Sequence, residues 1–362
     1  MKVLHIINNL NIGGAEKLLV ETLPLYESFG VQVDVFLLTK VDSPFVSAIE
    51  ENFNGNIYYS GLKSVYNPCQ ILKIKDFIQQ CDYDVVHAHL FPTLYWVSLA
   101  KTFFGIKTPI IFTEHSTHNK RLDKFVFRAI DRCIYRKYQK ILAITPQVKQ
   151  VLMQKLNITA EKVEVVYNGV EVDKYKQASP YAEGTFFEKG ATILMQVSRF
   201  QAAKDQKTVI RALTLLPQRY KLLLVGDGET KIECENLVQE LSLQDRVQFL
   251  GSRVDIPELL KTADIVIQSS HWEGFGLVAV EAMAAAKPII ASDVVGLRDI
   301  VSGYGLLFQK GNEGQLAKEI EALEDEKYYK EIADKCAQRA EGFHITKMIK
   351  NNIAAYEQVI NN

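Results

Sequence analysis

The sequence predicts an α/β protein that contains two doubly wound parallel sheets. Short apolar segments rich in β-branched residues alternate with longer segments of helical periodicity along all 362 residues. The strand segments are apolar throughout, which is typical of parallel strands covered by helices on both faces. The pattern restarts after a polar stretch at 173–190 that contains Gly and Pro. A chain of this length also suits two domains of ordinary size.

The strands and helices follow one another in a regular order in each half. The first half has seven strand candidates, at 3–7, 31–38, 56–59, 85–89, 109–113, 141–144 and 163–166. Its predicted helices include 16–28, 68–79, 92–104 and 122–139. The second half has six strand candidates, at 192–197, 221–225, 247–250, 265–268, 288–291 and 305–308.

These elements predict an N-terminal Rossmann-like domain at 1–172, a linker at 173–190 and a second domain at 191–344. We expect the helical segment 345–362 to pack back toward the first domain. Ligands of such sheets bind beyond the carboxyl ends of the strands. Two domains that face each other therefore predict a site in a central cleft.

Composition excludes several classes of protein. The formal net charge is −1, which does not match nucleic acid. Five scattered cysteines without a CxxC pair predict reduced thiols in a cytoplasmic protein and no zinc site. The N-terminal apolar run breaks at Asn8 and predicts a buried strand rather than a signal peptide. No run of 18 apolar residues occurs, so we expect no membrane span.

The segment 269–286, SSHWEGFGLVAVEAMAAA, carries the strongest functional pattern. Glu273 stands before a Gly-Phe-Gly turn at 274–276, and a predicted helix begins near Leu277 and contains Glu281. The free N–H groups and the positive dipole end of a helix suit a phosphate or diphosphate. Two carboxylates on either side could bind hydroxyls, which is the layout of a nucleotide-sugar. The alternative is a surface turn with a solvated Glu281.

Arg199 and Lys204 follow the first strand of the second domain in VSRFQAAKDQ. A nucleoside diphosphate gains negative charge as it leaves a sugar, so two cations directed at it would stabilise the transition state. The alternative is a pair of solvated loop charges.

Two Gly-rich turns also follow strands. Gly13 and Gly14 precede the first helix, and 225–229 reads VGDGE. Neither has the GxGxxG spacing of a dinucleotide site, so a tight strand-to-helix turn is the alternative for the first.

Histidines and acids of the first domain could suggest a metal. His87 and His89 share one face of a strand, but no third ligand stands at a convincing spacing, and we expect His87 to be a core residue. The acidic motif at 82–84, DYD, precedes a buried strand far from the other motifs. We therefore predict no metal. His115 follows a strand end, and His118 lies nearby.

The segment 115–140 is basic and amphipathic. Its eight cations exceed its two acids by six charges; the cations are Lys120, Arg121, Lys124, Arg128, Arg132, Arg136, Lys137 and Lys140. Such a helix at 120–140 could lie on an anionic membrane surface. An ordinary surface helix with a buried apolar stripe is the equal alternative.

Together these motifs resemble those of the retaining glycosyltransferases of family four (group 1), over nearly the whole chain. That family has the GT-B fold. The resemblance implies that Glu273 contacts donor-sugar hydroxyls and that Glu281 binds the ribose, while backbone groups of 274–277 (Gly274, Phe275, Gly276 and Leu277) contact the diphosphate and sugar. Arg199 and Lys204 resemble the family's diphosphate clamp, which replaces a metal.

Other positions take their roles from the same resemblance. The Gly13-Gly14 turn would face the donor, and the backbone near Arg253 and Val254 would hold the nucleobase. His115 would lie beside the donor sugar and the acceptor. For Arg253 the alternative is a solvated loop arginine. Asn168-Gly169-Val170 matches a turn that ends the first domain.

The resemblance implies a metal-independent transfer of a hexose or N-acetylhexosamine, with retention, from a nucleotide-diphospho-sugar, preferably UDP-linked. The acceptor would be a glycan or a lipid-linked glycan, as in bacterial capsule, exopolysaccharide or O-antigen synthesis. The enzyme would be cytoplasmic, with peripheral contact to the membrane. Departures from the family pattern are Asp205, Val295 and Arg298, which leave the sugar open. The alternative interpretations are an epimerase-like GT-B enzyme and a binding protein without catalysis, and a plain NAD-dependent enzyme is a poor third.

Overall fold

We describe the fold from a computed structural model of the chain, whose described residues are 1–116 and 120–361. The chain divides into two compact units. One comprises Met1–Gly169 and Ile345–Asn362, and the other comprises Val170–His344.

The first unit contains a parallel sheet of seven strands in the order β3-β2-β1-β4-β5-β6-β7. Its strands are β1 (Lys2–Ile7), β2 (Gln32–Leu37), β3 (Ile57–Tyr59), β4 (Val85–His89), β5 (Ile110–Glu114), β6 (Lys140–Ala143) and β7 (Val163–Val165). Its first helices are α1 (Gly14–Thr22), α2 (Pro44–Asn52), α3 (Gln70–Gln80), α4 (Thr93–Phe104), α5 (Phe125–Tyr135) and α6 (Pro146–Leu156).

The second unit contains a parallel sheet of six strands in the order β10-β9-β8-β11-β12-β13. Its strands are β8 (Thr192–Val197), β9 (Tyr220–Val225), β10 (Val247–Gly251), β11 (Ile265–Gln268), β12 (Ile289–Ser292) and β13 (Leu306–Phe308). Its helices are α7 (Val172–Gln177), α8 (Gln206–Thr214), α9 (Lys231–Glu240), α10 (Ile256–Thr262), α11 (Leu277–Ala284), α12 (Leu297–Val301), α13 (Glu313–Ala322) and α14 (Glu326–Ala340). The last helix, α15 (Ile345–Ile360), belongs to the first unit.

The predicted fold class is confirmed: two parallel sheets of the doubly wound type are each flanked by helices. Every strand boundary lies within one residue of the sequence prediction. Most strands are buried along most of their length, as in Val85–His89, where all five residues are buried, whereas the edge strands β3 and β10 are mainly half-buried. This burial on both faces is the reason that continuous apolar segments identified them.

Two helices are shorter than predicted. The helix expected at 16–28 ends at Thr22 and continues as a 3₁₀ helix over Leu23–Phe29, because Pro24 lacks the N–H that an α-helix needs. The helix expected at 122–139 covers only Phe125–Tyr135, because the chain must turn before β6 begins at Lys140.

The segments on either side of the second domain, 173–190 and α15, each pack within one unit. The stretch 173–190 lies inside the second unit, where α7 packs against α10 and α11 and the Gln248 amide donates to the Phe186 carbonyl. Helix α15 packs in the first unit, where the Tyr356 hydroxyl lies 2.7 Å from His87 Nδ1. A Cβ on Gly169 would lie 2.5 Å from Ile345 Cα, so the Asn-Gly-Val turn needs glycine for this close approach.

Candidate functional site

The turn before α11 has the geometry that the sequence predicts. Gly276 adopts φ +91° immediately before the helix, and a Cβ there would lie 2.5 Å from the Leu297 side chain. Phe275 is buried and packs edge-to-face on Phe343, with ring centroids 5.6 Å apart. The glycine and the anchored phenylalanine fix the backbone where the helix presents its first N–H groups. That helix start can bind an anion.

A half-buried ion pair joins the two strongest motifs. Lys204 Nζ donates to a carboxylate oxygen of Glu273, and the exposed fractions of the two side chains are 17% and 15%. Lys204 ends a short 3₁₀ turn after β8, whereas Glu273 lies in the turn after β11. These strands are neighbours in the sheet, so residues 69 positions apart meet at its carboxyl edge.

Two buried glutamines hold the backbone of the predicted cationic clamp, and sequence reasoning missed both. Gln196 Nε2 donates to the Lys204 carbonyl at 2.7 Å, and Gln206 Nε2 donates to the Arg199 carbonyl at 3.1 Å. The Arg199 side chain itself is exposed. The sequence did contain one indication of this role: Gln196 is a polar residue in a mainly apolar strand, and a buried amide needs a hydrogen-bond partner.

Asp205 lies in a turn whose backbone conformation favours glycine. Its φ is +42°, a left-handed conformation in which glycine is the least costly residue. Its carboxylate accepts hydrogen bonds from Thr208 Oγ1 at 2.8 Å and from Ser269 Oγ at 3.2 Å. These bonds tie the turn after Lys204 to α8 and to the strand end that precedes Glu273.

Glu281 is buried in the second turn of α11, with 2% of its surface exposed. A carboxylate is rarely buried to this extent unless it is partnered. The alternative of a solvated Glu281 is therefore wrong. The helix that contains Glu281 begins directly after the turn of Gly274 and Gly276.

The VGDGE turn packs directly on the loop that carries Arg199. A Cβ on Gly226 would lie 2.1 Å from the Ser198 carbonyl oxygen, and one on Gly228 would lie 2.2 Å from that of Phe200. Both glycines have positive φ values, +130° and +151°. Close backbone approach is thus the reason for this turn's glycines.

Arg253 and Val254 lie in the loop after β10, and both are exposed. The Arg253 guanidinium pairs with Asp255 at 2.6 Å and bonds the Tyr181 hydroxyl at 3.2 Å. The charge-assisted bonds from Arg253 lower the pKa of Asp255 to about 2. The Arg253 side chain therefore stabilises its own loop. The backbone of this loop is then the group that could contact a nucleobase.

Gly13, Gly14 and His115 lie in the first unit, whereas the other predicted site residues lie in the second. Helix α1 begins at Gly14, and a Cβ on Gly13 would lie 2.2 Å from a carboxylate oxygen of Glu16. His115 follows β5 and is half-buried, and burial lowers its pKa to about 4. His118 lies outside the described residues.

Three buried imidazoles form a cluster that sequence spacing did not reveal. His5 of β1 lies beside His87 and His89 of β4, and ligand nitrogens of the three lie within 4.8 Å of one another. His87 and His89 therefore do have a third potential ligand beside them, contrary to the sequence prediction, because that ring comes from a neighbouring strand. Such a set could hold a metal ion. Both nitrogens of His87, however, already bond Tyr356 and Thr113, each at 2.7 Å.

The acidic motif at 82–84 has structural contacts. Asp84 accepts the backbone N–H of Lys2 at 2.7 Å, and the Tyr83 hydroxyl donates to Asp34 at 2.8 Å. These contacts fix the start of β4 against β1 and β2.

The basic segment combines internal and outward-facing groups. Arg121 stacks on Phe91 at 3.9 Å and lies 3.5 Å from the buried carboxylate of Asp131, while the Nε of Arg132 donates to the Leu156 carbonyl at 3.0 Å. Lys124, Arg136 and Lys137 are exposed.

The apolar residues of the same segment are also divided between the interior and the surface. Ile134 and Tyr135 are buried, whereas the first turns of α5 expose Phe125 (81%), Val126 (66%), Phe127 (43%) and Ile130 (42%). Within the described ranges, no helix has the length and apolarity that crossing a membrane requires.

Two models of known protein families match the chain, and together they cover most of it. Residues 12–174 match the family described as Glycosyltransferase Family 4, and residues 181–343 match the family described as Glycosyl transferases group 1.

Individual relatives extend over nearly the whole chain. A Campylobacter jejuni enzyme named N-acetylgalactosamine-N,N'-diacetylbacillosaminyl-diphospho-undecaprenol 4-alpha-N-acetylgalactosaminyltransferase is 25% identical, over 95% of this chain and 96% of its own. An Escherichia coli enzyme named UDP-Gal:alpha-D-GlcNAc-diphosphoundecaprenol alpha-1,3-galactosyltransferase is 21% identical, over 96% of this chain and 95% of its own. Among solved structures, Anabaena HepE in complex with UDP and glucose has a TM-score of 0.85 at 22% identity, covering 99% of this chain and all of that one.

One family match covers most of the first unit and the other covers most of the second. The second match contains the turn at 274–276, the Lys204–Glu273 pair and the buried Glu281. The chain therefore belongs to the group 1 glycosyltransferases of family four, enzymes of the GT-B fold.

Proposed function

We propose that the enzyme transfers a hexose or N-acetylhexosamine from a UDP-sugar to a glycan or lipid-linked acceptor with retention of the anomeric configuration. The observation that carries this proposal is the Lys204–Glu273 pair at the turn that opens α11. A cation, a helix start and a carboxylate meet there, and these groups match the diphosphate and the sugar of one donor.

Bond cleavage at the sugar places negative charge on the departing diphosphate. Lys204 and the first N–H groups of α11 would stabilise that charge, and Arg199 would add a second cation. Cations in these positions supply the role that a metal has in other transferases, so we propose catalysis without a metal. Glu273 neutralises Lys204 and would exchange this contact for sugar hydroxyls as the diphosphate binds Lys204.

The proposed retention of the anomeric configuration follows from the roles of Glu273 and the departing diphosphate. Once Lys204 binds the diphosphate, Glu273 would contact sugar hydroxyls, and we propose that it orients the sugar rather than attacks it. We propose that the acceptor hydroxyl attacks from the face that the diphosphate leaves and transfers its proton to a departing phosphate oxygen. His115 would lie beside the donor sugar and the acceptor.

The names of the relatives support the choice of substrates. HepE was crystallised with UDP and glucose, and the E. coli relative is named for UDP-Gal. The relatives from C. jejuni and E. coli are named for acceptors on diphosphoundecaprenol. We therefore place the enzyme in the synthesis of a bacterial surface polysaccharide, such as capsule, on a lipid carrier.

A donor screen tests this proposal. UDP-, GDP- and ADP-sugars would be added to the protein, and the melting temperature would be followed. We expect only UDP-sugars to raise it, since a ligand at 100 times its Kd adds about 2.7 kcal/mol to the free energy of unfolding. The best donor would then be assayed with a short polyprenyl-diphosphate sugar in the presence of EDTA, and NMR would report the anomeric configuration of the product.

Several results would contradict the proposal. These are stabilisation by no nucleotide-sugar, inversion of configuration, and loss of turnover in EDTA. Release of an epimerised sugar without any acceptor would favour the epimerase-like alternative.

We also propose that α5 and the residues at its two ends contact an anionic membrane, where a lipid-linked acceptor is found. Exposed Phe125 and Val126 would enter the lipid interface, and Lys124, Arg136 and Lys137 would meet anionic headgroups at about 1 kcal/mol each. Flotation with vesicles of phosphatidylglycerol and phosphatidylcholine tests this contact. We expect binding that Phe125→Ser/Val126→Ser abolishes and that Ile232→Ser, at an exposed position of α9, preserves. Equal binding by all three proteins would refute the contact.

A further inference from the structure

Three histidines of the first unit form a continuous chain that ends at His115. His5 Nδ1 lies 3.0 Å from His89 Nε2, and His89 Nδ1 lies 3.4 Å from His115 Nε2. His5 and His89 lie in the paired strands β1 and β4, and His115 directly follows β5, which pairs with β4. The chain therefore runs from the interior of the sheet to a half-buried side chain at its carboxyl edge.

The buried setting of these three rings favours their neutral form. Burial lowers the pKa of His5 to about 3 and that of His115 to about 4, and it holds the pKa of His89 well below its usual value. A neutral imidazole has one N–H donor and one acceptor nitrogen. Each ring can therefore donate at only one of its nitrogens.

The far end of the chain sets the direction of donation. His5 Nε2 is buried and has no hydrogen-bond partner in the part of the chain that the structure describes. Orphaned buried N–H donors are rarer than under-satisfied acceptors, so the proton of His5 belongs on Nδ1. His5 then donates to His89 Nε2, His89 must carry its proton on Nδ1, and His89 donates to His115 Nε2. His115 is left with its proton on Nδ1, the nitrogen that His89 does not contact.

We propose that His89 and His5 are positioning residues that hold His115 as the Nδ1–H tautomer. The proposal deepens the proposed function and rests on it for the presence of His115 beside the sugar and acceptor. The hydrogen bond made by one ring nitrogen decides which form the other takes, and a histidine in the wrong tautomer cannot make its contact with the substrate. His89 acts through His115 and has no reacting atom of its own.

His87 provides an internal comparison. It lies two residues from His89 in the same strand and is equally enclosed, with ring centroids 4.2 Å apart. Its nitrogens bond Tyr356 and Thr113 rather than His115. A change at His87 therefore disturbs the same cluster without breaking the chain to His115.

Nitrogen-15 NMR of the histidine rings tests the proposal without an activity assay. In the wild-type protein we expect His115 in the Nδ1–H form. His89→Asn keeps an amide donor in place of Nδ1 and should preserve this form, whereas His89→Gln places its amide near Nε2 and should shift His115 toward the Nε2–H form. His87→Asn should leave His115 unchanged.

Three outcomes would overturn the proposal. One is a wild-type His115 in the Nε2–H form, a measurement that needs no variant to fold. Another is an equal shift in the His87 and His89 variants. The last is stoichiometric metal bound to His5, His87 and His89 in the purified protein, since metal ligation would break the chain.

Turnover separates this inference from the proposed function. We expect His89→Gln to lower kcat by ~10–100-fold with little change in the KM for the donor, since a small misplacement of a group beside the reacting atoms can cost up to ~10²-fold in rate. His89→Asn should restore most of that loss. If His115→Ala retained full turnover, the role of His115 in the proposed function would fail, while the NMR result would still decide the tautomer.

Discussion

Lys204 and Glu273 form an ion pair across neighbouring strand ends, although 69 positions separate them in the chain. Their exposed fractions, 17% and 15%, mean that water screens the pair less than it screens an ion pair on the open surface. The pair therefore holds a cation at the place where the proposed donor would develop negative charge.

Replacing Lys204 should mainly affect the chemical step. We expect Lys204→Met to lower turnover by ~10²–10³-fold, as the loss of one preorganised charge-stabilising group does. Lys207→Met removes a pair with Glu233 whose side chains are 40% and 58% exposed, and it should leave turnover unchanged. Steady-state kinetics on both variants, with circular dichroism as a check on folding, would measure the difference. Similar activities in the two variants would contradict the assignment of Lys204.

Gly296 is expected to control the shape of the Glu273 turn. Its φ is +92°, and a Cβ there would lie 2.5 Å from the Glu273 carbonyl oxygen. Gly311 has φ +74°, and a Cβ on it would have no other atom within 4 Å, so Gly311→Ala is a matched control. The left-handed backbone should cost about 1–2 kcal/mol of stability in Gly311→Ala, and Gly296→Ala should cost more because its Cβ also meets the Glu273 carbonyl oxygen.

Only Gly296→Ala should also weaken donor binding, because it displaces the backbone that carries Glu273. Isothermal titration with the preferred UDP-sugar would measure this difference in Kd. Equal donor affinities in the two variants would show that the turn tolerates displacement.

The buried amide of Gln196 is expected to support Lys204. Gln196→Met would leave the Lys204 carbonyl without its 2.7 Å hydrogen bond, at a cost of about 1–3 kcal/mol. Gln248→Met removes a comparable bond to the Phe186 carbonyl, away from the strand ends that carry the site. Both variants should lose stability in urea, but only Gln196→Met should lose turnover. Loss of turnover in both would indicate a general effect of destabilisation.

Stability should fall as pH decreases below about 6.5. The unfolded chain binds a proton at His5 near the usual pKa of 6.5, whereas the folded chain does so only near 3. The unfolded state thus binds more protons in this window, and the free energy of unfolding falls by up to ~1.4 kcal/mol per pH unit for each such histidine. His87, His89 and His115 add to this slope in the same direction.

His5→Asn removes one titrating ring and keeps a donor toward His89. Urea midpoints measured between pH 5 and pH 7 should therefore change less steeply in this variant than in the wild type. An identical slope would show that His5 is protonated in the folded protein.

The sequence predicted the strands to within one residue because most of them are buried on both faces and are therefore mainly apolar. It also predicted Glu273, Lys204 and the Gly276 turn as site residues, since each follows a strand end. It did not reveal the Lys204–Glu273 pair or the third imidazole at His5, because those contacts depend on which strands are neighbours in the sheet. Gln196 and Gln206 were missed for a related reason: a buried amide has no motif, and its role depends on the carbonyl that it meets.

The close approach of Gly226 and Gly228 to the Ser198 and Phe200 carbonyls has a consequence for altering this enzyme's substrate preference. The backbones of these two segments leave no space for a methyl group, so single substitutions at Gly226 or Gly228 should not be tolerated. Variation in donor choice, whether by natural drift or by laboratory selection, should therefore accumulate in neighbouring side chains such as Asp227 and Glu229, while the glycines stay invariant in every active descendant.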